Sequence, residues 1–327
     1  MTGAMLTIYE FLAGELKVQT GKPRITEQAV WIDLRNPTPE EEAKVEKSLQ
    51  IDVPTREEQQ EIEVSDRLYH EDGAYFMTAT LLFQGEASEA KTTPVSFILA
   101  GPRLITVRYA EPRAFDMFVT RCNRSETDLS SGIAVLAGLL DTIVDRLADF
   151  IERIQAEVEA LSHSVFENHG AATSRQRRFD VLLRSIGREG EIASKAQESG
   201  YSLGRLLTFL SYAVTERKDG KPVQSRVRTA ARDMASLTDH ATFLSGKIIF
   251  LLDATLGMIN IQQNDIIKIF SVAAVVFLPP TLIASIYGMN FHAMPELDWL
   301  FGYPFALGLM VLFAVLPYIY FKRKGWL

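Results

Sequence analysis

The chain has 327 residues, with 34 Lys and Arg against 41 Asp and Glu, for a net charge of −7. So acidic a balance argues against a nucleic-acid binder, which needs clustered cations for phosphate contact, and the 47% hydrophobic fraction argues against disorder. The single cysteine, Cys122, excludes an internal disulfide and a thiolate metal cluster.

Residues 1–112 read as mixed α/β. Ala29–Leu34, Ala74–Gln84, Val95–Ala100 and Leu104–Tyr109 are rich in β-branched and aromatic residues, as strands are. Gly101-Pro102 between the last two predicts a hairpin turn. Thr38, followed by Pro39 and three glutamates, predicts a capped helix start. Met1 to Glu15 has no basic n-region, so no signal peptide is expected.

No proline occurs from Arg113 to Lys221. Asp128 is the expected cap of a helix whose apolar positions Ile133, Leu136, Leu140, Ile143, Leu147, Phe150, Ile154, Val158, Leu161 and Val165 recur every three or four residues. Asn168 to Gly170 breaks it, and a second helical stretch follows from about Ser174 to Arg217. After Pro222 the next proline is Pro279, so one helix can run from near Val223 for some 65 residues, a rod on the order of 100 Å.

Residues 266–327 hold only six charged side chains, which leaves 30 basic and 39 acidic residues in 1–265. Ile266 to Ile286 is 21 residues with one charge, and Tyr303 to Phe321 is 19 with none, each near the length that crosses a bilayer. Tyr287, Trp299, Tyr303, Tyr318, Tyr320 and Trp326 sit at the ends, where an aromatic belt belongs. The loop between the spans has no Lys or Arg, whereas Lys322, Arg323 and Lys324 follow the second span. The positive-inside rule therefore places both termini in the cytoplasm. Three readings of the basic run and the body follow from this topology: a membrane-lipid anchor, a cytoplasmic body and a short outer loop.

Alternating steps of four and three along the long helix pass through Asp253, Gly257, Asn260, Asn264, Ile267, Ser271, Ala274, Leu278, Thr281, Ser285 and Gly288. A 3.5-residue repeat keeps one face turned toward a partner in a left-handed bundle. Close packing of small residues explains the Gly, Ala and Ser positions. A water-filled axis explains the acid and amides at Asp253, Asn260 and Asn264 better, and the pattern leaves both open.

At the outer end of that face stand Tyr287-Gly288-Met289-Asn290, then Met294-Pro295-Glu296-Leu297, and the chain closes on Lys322-Arg323-Lys324-Gly325-Trp326-Leu327. These motifs, in this order and topology, resemble the CorA family of magnesium transporters. The resemblance implies an α+β cytoplasmic domain, a long stalk helix and two C-terminal transmembrane helices, assembled as a funnel-shaped homopentamer whose first span lines the pore. The organisation then reads as an α/β domain over 1–125, a helical hairpin over 126–222, a stalk over 223–265, a first span over 266–289, a periplasmic loop over 290–302, a second span over 303–321 and a basic tail over 322–327.

It also implies Mg²⁺ influx across the inner membrane, with Co²⁺ and Ni²⁺ as secondary ions and Mg²⁺ itself as the regulator. No other cofactor is expected. Gly288, Met289 and Asn290 would form the selectivity motif. Mg²⁺ dehydrates reluctantly, so a ring of Asn290 amides holding the ion by its waters suits it. Neutral oxygens also bind weakly enough to release it. Asp253, Asn260, Asn264, Ile267, Phe270, Ser271, Leu278, Thr281 and Ser285 would line the path, with Ile267 and Phe270 near an apolar constriction. Glu296 and Asp298 would collect cations outside, and Lys322, Arg323 and Lys324 would contribute a basic girdle. No acid matches a regulatory metal site. His163 and His169 are off one helix face, and His292 stands alone in the outer loop. No nucleophile–base or metal-ligand constellation appears, so an enzyme is not expected. Two rivals remain: a zinc-transporting branch of the same family, and a non-transporting oligomeric membrane scaffold.

Overall fold

A computed structural model describes residues 5–12, 14–19, 24–85, 89–122, 129–166, 172–217, 219–289, 295 and 299–326. The chain divides into two compact units, one of residues 1–170 and 180–251, the other of 171–179 and 252–327.

The first unit is built on a seven-stranded mixed sheet. Its strands are β1 (Met5–Leu12), β2 (Glu15–Val18), β3 (Ala29–Arg35), β4 (Leu68–Glu71), β5 (Ala74–Gln84), β6 (Ala90–Ala100) and β7 (Arg103–Arg108), in the spatial order β2-β1-β3-β7-β6-β5-β4. Only β3 and β7 pair in parallel, so the remaining neighbours need nothing longer than antiparallel connections. β1, β2 and β4 are additional to the strands read from sequence, and β6 begins five residues earlier, with Pro94 inside it opposite Thr80.

Alternation along the strands sends two residue sets to opposite faces. One face buries Ile32, Leu34, Phe76, Ile98, Ile105 and Val107 with Val45 from helix α1 (Pro39–Leu49). Thr38 caps α1 as expected, and Glu41 returns the favour by accepting from the Thr38 backbone, a complete capping box. The short helix α2 (Val64–Arg67) leads into β4.

The opposite face presents Trp31, Asp33, Thr106 and Arg108 toward helix α3 (Arg113–Cys122). Trp31 donates to Thr106 at 3.0 Å, Thr106 donates to Asp33 at 2.7 Å, and the Arg108 guanidinium donates to both Asp33 oxygens. Burial alone would lower the Arg108 pKa, but the Asp33 carboxylate outweighs it and the pKa is raised. Every member of this network is paired, which is the condition for tolerating charge in a core.

Helix α4 (Gly132–Phe166) buries all ten of the apolar positions picked out by periodicity. Its start differs from the expectation: Ser131 takes the capping role, its Oγ accepting from the Ala134 N–H at 3.4 Å, and Asp128 lies outside the described residues. Asn168 to Gly170 also lie outside them. Helix α5 (Ala172–Glu216) then covers the open edge of β5 beyond its pairing with β4. The N–H groups of Thr80 and Leu82 donate to the hydroxyls of Ser202 and Ser199 at 2.9 and 3.1 Å. An unpaired sheet edge is thereby satisfied by helix side chains.

Helix α6 runs unbroken from Gln224 to Tyr287, 64 residues, and helix α7 spans Gly302–Arg323. Both are long and apolar enough to cross a membrane. In the first unit Arg226 of α6 is fixed to Asp141 of α4 at 2.7 Å. The helical part of the first predicted span closes at Tyr287, so Gly288 and Met289 stand just past the last helical residue.

Candidate ion pathway

The candidate pathway is one face of α6 within the second unit. Asp253, Gly257, Asn260, Asn264, Ile267, Ser271, Ala274, Leu278, Thr281, Ser285 and Gly288 are all exposed in the single chain. Val272 is buried, and Val276, Ile283 and Tyr287 are half-buried. Each of these covered residues lies two positions from a member of the exposed repeat, which on a helix is about 160° around the axis. α6 therefore has one covered stripe, and the polar-and-small repeat lies on the side away from it.

Exposure is not confined to that repeat. Ile267 and Phe270, the expected constriction, are 60% and 72% exposed, and Phe277 and Leu282 on the flanks are 69% and 61% exposed. An apolar surface of this extent in one protomer is unpartnered in water and requires lipid or neighbouring protein.

Two local devices shape the helix in this region. Pro279 and Pro280 lack the N–H groups that would serve the carbonyls of Val275 and Val276, so a helix in mid-span carries two carbonyls without their usual donors. Thr281 sends its Oγ hydroxyl back to the Phe277 carbonyl at 2.8 Å. Nearer the stalk, Lys268 pairs with Asp265 at 3.0 Å. Gln262, which the face count passed over, lies off the repeat with its Oε1 buried and unpaired among the described residues. Its signal in the sequence was only an amide two positions from Asn260 and Asn264.

At the outer end, α6 finishes with Gly288 N–H bonded to the Ala284 carbonyl at 3.0 Å and Met289 N–H to Ile286 at 3.2 Å. A Cβ on Gly288 would meet the Ala284 carbonyl oxygen at 3.1 Å, so a side chain there would crowd the helix exit. Asn290, His292, Glu296 and Asp298 lie outside the described residues. The loop resumes at Trp299, which packs against Phe301 and Phe305 at the start of α7 with ring centroids 6.2 and 5.8 Å apart.

At the other end of α7, Gly325 adopts φ +70° and closes the helix. Its N–H bonds to the Lys322 carbonyl at 3.2 Å, and the Trp326 N–H to the Phe321 carbonyl at 3.1 Å. This is a Schellman closure, completed by the apolar contact such closures favour, with the Trp326 and Phe321 rings stacked at 5.1 Å. Lys322, Arg323 and Lys324 are exposed on this last turn.

Among the described residues, no three His, Cys, Asp or Glu side chains converge to hold a metal ion. Cys122 is buried, and burial raises its thiol pKa to about 11.

Residues 26–323 match the family model described as CorA-like Mg²⁺ transporter protein. The chain is 38% identical over 312 residues to the magnesium transport protein CorA of Escherichia coli (strain K12), covering 95% of this chain and 96% of that one. In structure it resembles the CorA magnesium transporter of Methanocaldococcus jannaschii, with a TM-score of 0.76 at 17% identity over the full length of both chains. It also resembles the cytoplasmic domain of ZntB from Vibrio parahaemolyticus, with a TM-score of 0.60 at 11% identity, over 79% of this chain and 99% of that one.

Proposed function

Since this chain belongs to the CorA family of Mg²⁺ transporters, we propose that the exposed repeat of α6 lines a pore at the axis of a homo-oligomer. The protein is a membrane protein that transports Mg²⁺. The finer reading is a homopentamer in the inner membrane, both termini cytoplasmic, admitting Mg²⁺ and more weakly Co²⁺ and Ni²⁺. No enzymatic step is part of this reading, and Mg²⁺ is substrate and regulator rather than a resident cofactor.

The observation that carries it is the geometry of α6. A polar-and-small repeat runs from Asp253 to Gly288 on the side of the helix away from its covered stripe. Rotated about a common axis, Asp253 would gather cations at the cytoplasmic end and the amides of Asn260 and Asn264 would face hydrated ions. Ile267, Phe270 and Leu278 would narrow the path with apolar side chains, a constriction that gates by excluding water. Ser271, Thr281 and Ser285 would offer neutral oxygens beyond it. Gly288, Met289 and Asn290 would close the outer end, Asn290 holding Mg²⁺ through its water shell and Glu296 and Asp298 raising the local cation concentration.

The test is Mg²⁺ uptake into dye-loaded proteoliposomes by the wild type and by Asn290→Ala. Uptake in the first, and at least a tenfold slower rate in an equally assembled second, supports the pore and the amide. Uptake of Zn²⁺ but not Mg²⁺ by the wild type would favour the zinc-transporting branch, whose cytoplasmic fold the chain shares. No uptake of any divalent ion would leave the scaffold reading.

A further inference from the structure

We propose that the C-terminal end of α7 binds the headgroups of anionic phospholipids, one at each of its two lysine–tyrosine couples. The inference rests on α7 crossing the membrane, and it is independent of which ion the protein carries.

Lys322 and Lys324 do not extend freely from the helix end. The Lys322 ammonium lies 6.0 Å from the Tyr318 ring centre and the Lys324 ammonium 5.4 Å from that of Tyr320, each folded back one turn. Each couple sets an ammonium beside an aromatic ring whose phenol can also donate. The couples are two residues apart in sequence and so stand about 160° apart around α7, forming two clamps on opposite sides of one helix. Among the described residues, none of Lys322, Arg323 and Lys324 has a carboxylate partner.

The second requirement of a lipid site is an apolar surface directly below the charge. Leu316 and Ile319, one turn toward the bilayer centre, are 54% and 43% exposed. The Schellman closure holds Trp326 against Phe321, so this aromatic is fixed beside the basic turn, where interfacial tryptophans belong. Cations without a carboxylate partner among the described residues above, and exposed aliphatic side chains beneath, complement the two halves of an anionic phospholipid, whereas free phosphate would use only the first. Each basic residue beside a membrane surface adds measurably to affinity for anionic lipid.

The test uses the full-length protein in detergent with Trp299→Phe as background. Trp31 is buried in the sheet, which leaves Trp326 as the reporter near lipid. Fluorescence quenching is titrated with dibrominated phosphatidylglycerol and, separately, with dibrominated phosphatidylcholine. We expect the anionic lipid to quench at a concentration roughly tenfold lower, Lys322→Gln/Lys324→Gln to abolish the preference, and Lys322→Arg/Lys324→Arg to retain it. If the glutamine variant elutes as a misassembled species, Tyr318→Phe/Tyr320→Phe replaces it and is expected to weaken the preference. Equal quenching by the two lipids in the background protein overturns the proposal. So does a preference of undiminished strength in the assembled glutamine variant or, where that variant misassembles, in the phenylalanine variant. Relief of quenching by millimolar inorganic phosphate would identify a free-anion site and also overturn it.

Discussion

Thr281 returns its hydroxyl to the Phe277 carbonyl across 2.8 Å, immediately after the two prolines that deprive Val275 and Val276 of their donors. One turn of α6 thus gains a side-chain bond where its backbone ladder loses two, and a Thr hydroxyl bonded in this way favours bending. Replacing both prolines by alanine restores two backbone bonds and removes a ring clash worth about 3 kcal/mol. Pro279→Ala/Pro280→Ala is therefore expected to melt at a higher temperature and to take up Mg²⁺ more slowly, measured by thermal unfolding in detergent and by proteoliposome uptake. Unchanged uptake would show that transport does not depend on this proline-interrupted turn.

The two sides of α6 should separate chemically. With Cys122 buried and its thiol pKa near 11, the wild type is a quiet background for thiol labelling. Cysteines introduced at Asn264, Ser271, Leu278 and Ser285 are expected to react with a charged, membrane-impermeant methanethiosulfonate and to lose most Mg²⁺ uptake. Cysteines at Val272, Val276 and Ile283 should not. Equal block on both sides would remove the assignment of the face.

The buried Asp33–Arg108 pair should respond asymmetrically to mutation. Arg108→Met leaves the Asp33 carboxylate without its main partner inside the sheet and is expected to destabilise the first unit by about 3–5 kcal/mol. Asp33→Leu/Arg108→Met removes both charges and should recover most of that loss. Denaturant unfolding followed by Trp31 fluorescence reads both, since Trp31 belongs to the same network.

Gly132 should tolerate no side chain. Its N–H bonds to the Pro102 carbonyl at 2.7 Å, and a Cβ there would collide with the backbone of Arg103 and Leu104. Neither obstacle is a flexible side-chain end, so Gly132→Ala is expected to cost about 3 kcal/mol or more. Expression level and melting temperature check it.

Tyr9, Tyr69 and Tyr109 have pKa values raised to about 12, in each case chiefly by burial. The unfolded chain releases these protons near pH 10 while the folded chain still holds them. Folding stability is therefore complete below pH 10 and declines between pH 10 and 12. Absorbance titration should find these three phenols still neutral at about pH 11, and Tyr9→Phe should remove one of them.

Legibility in the sequence followed the length and regularity of each element. The ten apolar positions of α4 were readable because a long helix repeats its period many times, and all ten are buried. The Thr38 cap was readable because Thr, Pro and Glu each act locally. β4 was not, since Leu68–Glu71 is four residues long and exists through its pairing with β5. The face of α6 was visible as a repeat, but only the folded chain shows that the covered stripe lies opposite to it. The closure at Gly325 had a local signature in its glycine after a basic run, whereas the return of Trp326 onto Phe321 depends on the three-dimensional turn.

Ser199 and Ser202 also bear on how the chain is made. Chains leaving neighbouring ribosomes reach local concentrations where an open strand edge invites a neighbour to add its own strand. By engaging the N–H groups of Leu82 and Thr80 from within the same chain, the two hydroxyls close β5 to that misassembly. Two small polar side chains on a helix thus guard against aggregation, a duty separate from any contact with the transported ion.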